Sequence, residues 1–180
     1  MSVSGIVLAA GAGRRLGGPK AELVIAGERL LDRSVRVLHG GGCAEVVAVV
    51  RPDTRVEGAV VVVNSDPERG MGSSLRLGLA AASGDRAAIV LVDTPGISAE
   101  AVRRTLGVAA PVAVATYGGR RGHPVVIVRP LWTNVAALAI GDAGARAFLR
   151  EHPELITEVA CPGDPADIDT AEDLARFLGD

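Results

Sequence analysis

Residues 6–20 read Ile6-Val7-Leu8-Ala9-Ala10-Gly11-Ala12-Gly13-Arg14-Arg15-Leu16-Gly17-Gly18-Pro19-Lys20, an apolar run that gives way to a glycine-rich loop closing on a lysine. Such a run suits a buried strand. Glycines after it permit close backbone approach, so that successive N–H groups can converge on an anion ahead of a helix. A loop of this kind belongs at the carboxyl end of a strand in an open α/β sheet. Lys20 is the only lysine among 19 fixed cations. Its ammonium, on a flexible stem, reaches phosphate oxygens where a planar guanidinium does not fit, so the loop reads as a polyphosphate site. Two familiar glycine fingerprints do not match. Ala21 follows Lys20 where a Walker loop needs Ser or Thr, and Leu16 stands where a dinucleotide loop needs its third glycine.

Working outward, apolar runs recur at Ile6 to Leu8, Val46 to Val50, Ala59 to Val63, Ala87 to Val92, Val112 to Thr116 and Val125 to Val128. Helix-like segments separate most of them, which is the alternation of an α/β sheet. Leu30, Leu31, Val35 and Leu38 share a helical face that ends at Gly40-Gly41-Gly42. Further helices are expected from Ser73 to Ala82, from Ser98 to Leu106 with Ser98 as N-cap, and from Thr170 to Leu178, where Thr170 and Asp173 form an N-terminal box. Between residues 110 and 130 two strands follow one another across Gly118-Gly119-Arg120-Arg121-Gly122, so the sheet should be mixed at that end.

The 180 residues suit one domain, long enough to bury roughly 70% of its unfolded surface. Apolar residues make up 48% of the chain but aromatic ones only 2%, so the core must be built of Val, Ala, Leu and Ile, as in parallel sheets. A net charge of -2 and the scarcity of stacking aromatics argue against nucleic-acid binding. Cys43 and Cys161 form no metal-ligand or disulfide pattern. The start of the chain lacks the regions of a signal peptide, and no apolar run reaches the roughly 20 residues of a membrane span. A cytoplasmic protein without membrane contact is expected.

The loop resembles the Leu-Ala-Ala-Gly-x-Gly-x-Arg-x-Gly-x-Pro-Lys signature of sugar-nucleotide-type nucleotidyltransferases, matched at Leu8, Ala9, Ala10, Gly11, Gly13, Arg15, Gly17, Pro19 and Lys20. Separate stretches are similar to the MobA-like branch, closest to molybdenum-cofactor cytidylyltransferases. These are Asn64 with Gly70-Met71-Gly72-Ser73-Ser74-Leu75, Val92-Asp93-Thr94-Pro95, Gly122-His123-Pro124, Gly141-Asp142 through Arg146, and Asp167 through Leu174. The resemblance implies a Rossmann-like three-layer α/β/α sandwich with a mostly parallel mixed sheet, of the nucleotide-diphospho-sugar transferase type. It also implies Mg²⁺-dependent transfer of a nucleoside monophosphate to a phosphorylated acceptor such as molybdopterin, with release of pyrophosphate. Ala9-Ala10, where guanylyl-transferring relatives tend to carry Ala-Gly, leans toward CTP. Ala171 departs from the family's usual Pro, and the acceptor-side segments offer few groups to enclose a pterin.

Attack of a phosphate on another phosphorus gathers negative charge, so cations and a metal are needed rather than a strong base. By the resemblance Arg15 and Lys20 hold the triphosphate, while Arg14 is expected to face solvent. Asp93 follows Ile89-Val90-Leu91-Val92, which puts a hard oxygen ligand for Mg²⁺ at the tip of a central strand. Asp169 is the expected second ligand, with Asp167 and Asp142 as competitors. Asn64, Ser73 and Ser74 can hydrogen-bond a base or ribose, with Gly70 allowing close passage, although the serines serve equally as helix caps. His123, Pro124, Asp142 and Arg146 are placed around the acceptor by the resemblance. Two other readings stand beside this one. One is an NAD(P)H-dependent oxidoreductase of the nicotine-blue-reductase type, and the other is a catalytically silent nucleotide-binding partner in molybdoenzyme maturation.

Overall fold

The glycine-rich loop does follow a buried strand. A computed structural model describes residues 1–178, in which β1 (Val3–Ala9) runs into the loop, a small hairpin of β2 (Val24–Ile25) and β3 (Glu28–Arg29) follows, and α1 (Leu30–Gly40) leads to β4 (Glu45–Val50). Next come β5 (Val60–Val63), α2 (Met71–Ala81), β6 (Arg86–Leu91), α3 (Ala99–Leu106), β7 (Val112–Tyr117) and β8 (Arg120–Val128). The last described elements are α4 (Trp132–Leu138), α5 (Arg146–Glu151), β9 (Ile156–Ala160) and α6 (Ala171–Leu178).

Apart from the small hairpin, the strands form one seven-stranded sheet in the order β5-β4-β1-β6-β8-β7-β9. β1, β4, β5 and β6 run parallel, β8 is antiparallel to both β6 and β7, and β9 returns parallel to β7. Side chains alternate across this sheet with the period of two that a pleated strand imposes. Val7, Ala48, Val50, Ala88 and Val90 pack with Leu31, Val35 and Leu38 of α1 and Val102 of α3. Ile6, Leu8, Val47, Val49 and Ile89 pack with Leu75 and Leu79 of α2, Val135 of α4 and Phe148 of α5. Two cores on one sheet make the expected three-layer α/β/α sandwich. Sheet strands covered on both faces read as unbroken apolar runs, which explains why β1, β4, β6 and β7 stand out in the sequence.

Several boundaries moved. β8 begins at Arg120, so only Gly118-Gly119 form the turn of the β7–β8 hairpin, not the longer glycine and arginine stretch expected. α2 starts at Met71, ahead of the serines expected to open it. Ser98 does cap α3, accepting from the Ala101 N–H at 3.1 Å, and Thr170 exchanges hydrogen bonds with Asp173 ahead of α6. The sequence reading contained no counterpart of β2, β3, β9, α4 or α5. Among the described residues no helix is long and apolar enough to cross a membrane.

Candidate active site

The chain order of the sheet decides where a site can form. From β1 the chain goes out through α1 to β4 and β5 on one side, then crosses back to β6 on the other side of β1. A crevice opens at the carboxyl ends of these two neighbouring strands, where ligands of open α/β sheets bind, with Leu8 and Ala10 on one side and Leu91, Val92 and Asp93 on the other. Leu8 and Leu91 pair at the rim.

The loop after β1 folds back on itself. Leu16 and Gly18 both donate to the Gly13 carbonyl, at 2.9 and 3.3 Å. Gly13 has φ of 59°, and a Cβ there would lie 1.9 Å from the Gly18 carbonyl oxygen, so no other residue fits this turn. The fold-back delivers Lys20 to the crevice, where its Nζ donates to Asp93 Oδ2 at 2.8 Å and to Asp169 Oδ1 at 2.5 Å. Burial alone would lower the Lys20 pKa, but the hydrogen bonds to Asp169 and Asp93 outweigh it and hold the value above normal. Asp93 stands two residues beyond β6. Its backbone carbonyl accepts from the Ile168 N–H at 2.9 Å, which brings Asp169 alongside from a distant part of the chain. Asp93 Oδ1 is buried and has no hydrogen-bond partner.

An orphaned carboxylate oxygen beside a second, half-exposed carboxylate is the donor set a hard divalent cation uses when substrate phosphates and water complete its shell. Asp93 and Asp169 fit that requirement. Of the acids weighed against Asp169, Asp167 lines a neighbouring pocket and Asp142 Oδ1 accepts from the Met71 N–H at the start of α2, 3.4 Å away. Among the described residues no three His, Cys, Asp or Glu side chains gather as a self-sufficient metal cluster.

A cleft of about 450 Å³ opens over this centre. Leu8, Ala10, Gly11, Gly13 and Lys20 form one wall, and Gly70, Met71, Ser74 and Asp142 face them. Four expectations need correction. Arg15, expected on the triphosphate, is exposed and absent from the lining, whereas Arg14 keeps a largely exposed side chain at the rim of the cleft, where it pairs with Glu68. Asn64 is 3% exposed and its amide is fully engaged. It donates to Ser73 Oγ at 2.9 Å and Ser74 Oγ at 3.0 Å and accepts from the Asp66 N–H at 3.0 Å, so it braces the start of α2. Ser73 is likewise turned away, donating to the Gly70 carbonyl at 2.8 Å. Ala9 is buried in the core behind the cleft.

Because β8 runs antiparallel, its first residues return to the same end of the sheet. His123 Nδ1 lies 3.1 Å from the Ile89 carbonyl, to which it donates, and this leaves Nε2 as an acceptor. Although part of its surface is exposed, the imidazole is enclosed by protein, and that desolvation lowers its pKa against the opposing pull of the Ile89 carbonyl and Asp93. His123 and Arg146 line a second pocket that contains neither Pro124 nor Asp142. Glu68 and Leu91 were missed by sequence reasoning and carry no local signal of a site, and Met71, though inside a matched stretch, was assigned no role there.

A glycine-rich loop folded back on Gly13, a central ammonium, one carboxylate beyond the tip of β6 and another just ahead of α6 define a nucleotidyltransferase-type α/β centre. The chain belongs to the MobA-like NTP transferase domain family, which it matches over residues 5–155. It is 40% identical to a nicotine blue oxidoreductase of Paenarthrobacter nicotinovorans over 98% of this chain and 96% of that one. It is 30% identical to a molybdenum cofactor guanylyltransferase of Rhodobacter capsulatus over 98% and 95% of the two chains. The crystal structure of Rv0371c from Mycobacterium tuberculosis superposes with a TM-score of 0.87 at 27% identity, covering 100% of this chain and 99% of that one. A manganese complex of that mycobacterial protein also matches, at a TM-score of 0.84. Cytidylyltransferase structures such as that from Thermus thermophilus share the fold, with a TM-score of 0.77 at 19% identity.

Proposed function

We propose that the cleft binds a nucleoside triphosphate and that its nucleoside monophosphate passes to a phosphorylated acceptor in the adjoining pocket. An acceptor phosphate oxygen forms a bond to the α-phosphorus while the bond to the β-phosphate oxygen breaks, and pyrophosphate leaves with that electron pair. The observation that carries this reading is the Lys20 ammonium held between Asp93 and Asp169 at the crevice, with Asp93 Oδ1 left unpartnered. Backbone N–H groups of the loop from Gly11 to Gly13 and the start of α2 would receive phosphate oxygens. Lys20 would follow the charge onto the leaving group, and Ser74 would supply a hydrogen bond to ribose or base. A divalent cation on Asp93 and Asp169, Mg²⁺ in this reading, would offset charge on the phosphates. Arg146 would hold the acceptor phosphate. Family likeness favours an acceptor of the molybdopterin type, while the adjoining pocket, whose lining holds no Phe, Tyr or Trp, favours one without a flat ring system; the work would be done in the cytoplasm by a single domain.

For the base, Ala9-Ala10 favours CTP, while the relatives called guanylyltransferases favour GTP. One screen separates these. Thermal unfolding is followed with each of the four nucleoside triphosphates and NADPH, with and without Mg²⁺, since a ligand that binds only the folded state raises the midpoint. Metal-dependent stabilisation by one triphosphate, with pyrophosphate released on adding acceptor, is expected. A second reading rests on the full-length likeness to the nicotine blue oxidoreductase. Stabilisation by NADPH and by no triphosphate would favour it. Stabilisation by a triphosphate with no turnover for any acceptor would favour a silent partner in molybdoenzyme maturation.

A further inference from the structure

The cleft and the pocket beside it share Met71 and Leu91 as a common wall, so molecules in the two would touch. The second pocket has a volume of about 550 Å³, with Val114, Val125 and Leu149 among its apolar contacts. Four arginines surround it, Arg120 and Arg121 from the start of β8 and Arg146 and Arg150 one helical turn apart on α5. Asp167 is the only acid in its lining. Arg121 donates to Glu158 at 2.7 Å, but Arg120, Arg146 and Arg150 have no carboxylate partner among the described residues. Like charges gathered around one cavity repel one another and raise the local concentration of anions. A single phosphate ester brings about two negative charges, which leaves part of this charge unanswered. No Phe, Tyr or Trp lines the pocket to stack on a flat ring system. Gly144, two residues before Arg146, lies against Met71 of the shared wall, so Arg146 stands toward the cleft, leaving Arg120 and Arg150 for something else.

We infer that the acceptor is a small phosphorylated molecule on a non-aromatic skeleton that carries a second anionic group, its phosphate at Arg146 and the second group between Arg120 and Arg150. This rests on the nucleotidyl-transfer reading for the word acceptor, but the pocket's anion preference can be measured without turnover. Calorimetric titration of the full chain with glycerol 3-phosphate, 3-phosphoglycerate and 2,3-bisphosphoglycerate compares one phosphate alone with a phosphate plus a carboxylate or a second phosphate. The two doubly substituted probes, or one of them, should bind at least about tenfold more tightly, the scale of one added charge-assisted hydrogen bond. Arg150→Gln or Arg120→Gln, both at exposed positions, should erase that difference while leaving glycerol 3-phosphate within about twofold. Equal affinity for all three, no binding of any, or a preference that survives both substitutions would overturn the inference. Failure of nucleotide to bind or of pyrophosphate to appear would instead sink the transfer reading, leaving the anion preference as a property of the pocket.

Discussion

Lys20 lies between the carboxylates of Asp93 and Asp169, 2.8 and 2.5 Å from one oxygen of each, and in the proposed reading a divalent ion would draw on the same two groups. The two carboxylates face a common point and repel unless a cation holds it. Without nucleotide that cation is the ammonium, and a triphosphate offers Lys20 other oxygens. Lys20→Gln should therefore do two things that a purely structural lysine would not. Pyrophosphate release should fall by roughly 10²–10³-fold, the cost of one charge-stabilising group. Binding of Mn²⁺ to the nucleotide-free protein, followed by the electron paramagnetic resonance of the free ion, should tighten because no ammonium competes. Unchanged metal affinity would mean that lysine and ion do not share those oxygens. Asp93→Asn should remove metal dependence, since a neutral amide is a poor ligand for a hard cation. Activity that still rises normally with metal concentration would place the ion elsewhere.

At the scale of elements, α2 is held at its first turn rather than by its length. Asn64, continuing β5, joins Ser73 and Ser74 by its amide and fixes the preceding turn through Asp66. Asn64→Ala should cost about 1–3 kcal/mol, because it strands buried polar groups, and urea unfolding measures this directly. Nucleotide affinity should drop only through loosening of α2, with no change in preference among bases. A switch in base preference would restore Asn64 as a reader of the base. What the sequence could and could not reveal divides along the same lines. β1, β4, β6 and β7 are buried on both faces and so appear as continuous Val, Ile and Ala runs. β9, at the sheet edge, offers only Ile156 and Val159 half-buried among exposed residues, and its partner β7 is some forty positions away. α4 and α5 are short and bury only Trp132, Val135 and Phe148, too few for a helical stripe. The carboxylates were legible because each follows or precedes a recognisable element. The absence of Arg15 from the cleft and the closed amide of Asn64 were not, since both depend on backbone turns and contacts that a linear motif does not specify.

For the molecule as a whole, the site imposes a cost that should appear as a dependence of stability on pH. His123 is desolvated between the sheet and the second pocket, and although Asp93 favours its charged form, burial and Arg146 oppose it and the net shift is downward. In the unfolded chain the same residue titrates near its ordinary value of about 6.5. As pH falls below that point the unfolded chain takes up a proton that folded His123 resists, so stability declines with acidification from neutrality. Carboxylates with lowered values, such as Glu28, Glu45 and Asp173, hold their contribution until pH nears the ordinary carboxylate range, lower on the scale. Two windows should therefore separate in urea titrations, one opening just below neutrality and one below about pH 5. His123→Gln, which keeps a hydrogen-bonding side chain but cannot titrate, should flatten the first window and leave the second. If the parent shows no loss of stability between pH 7 and 5.5, or if the substitution leaves that loss in place, His123 is not the neutral imidazole that its surroundings require.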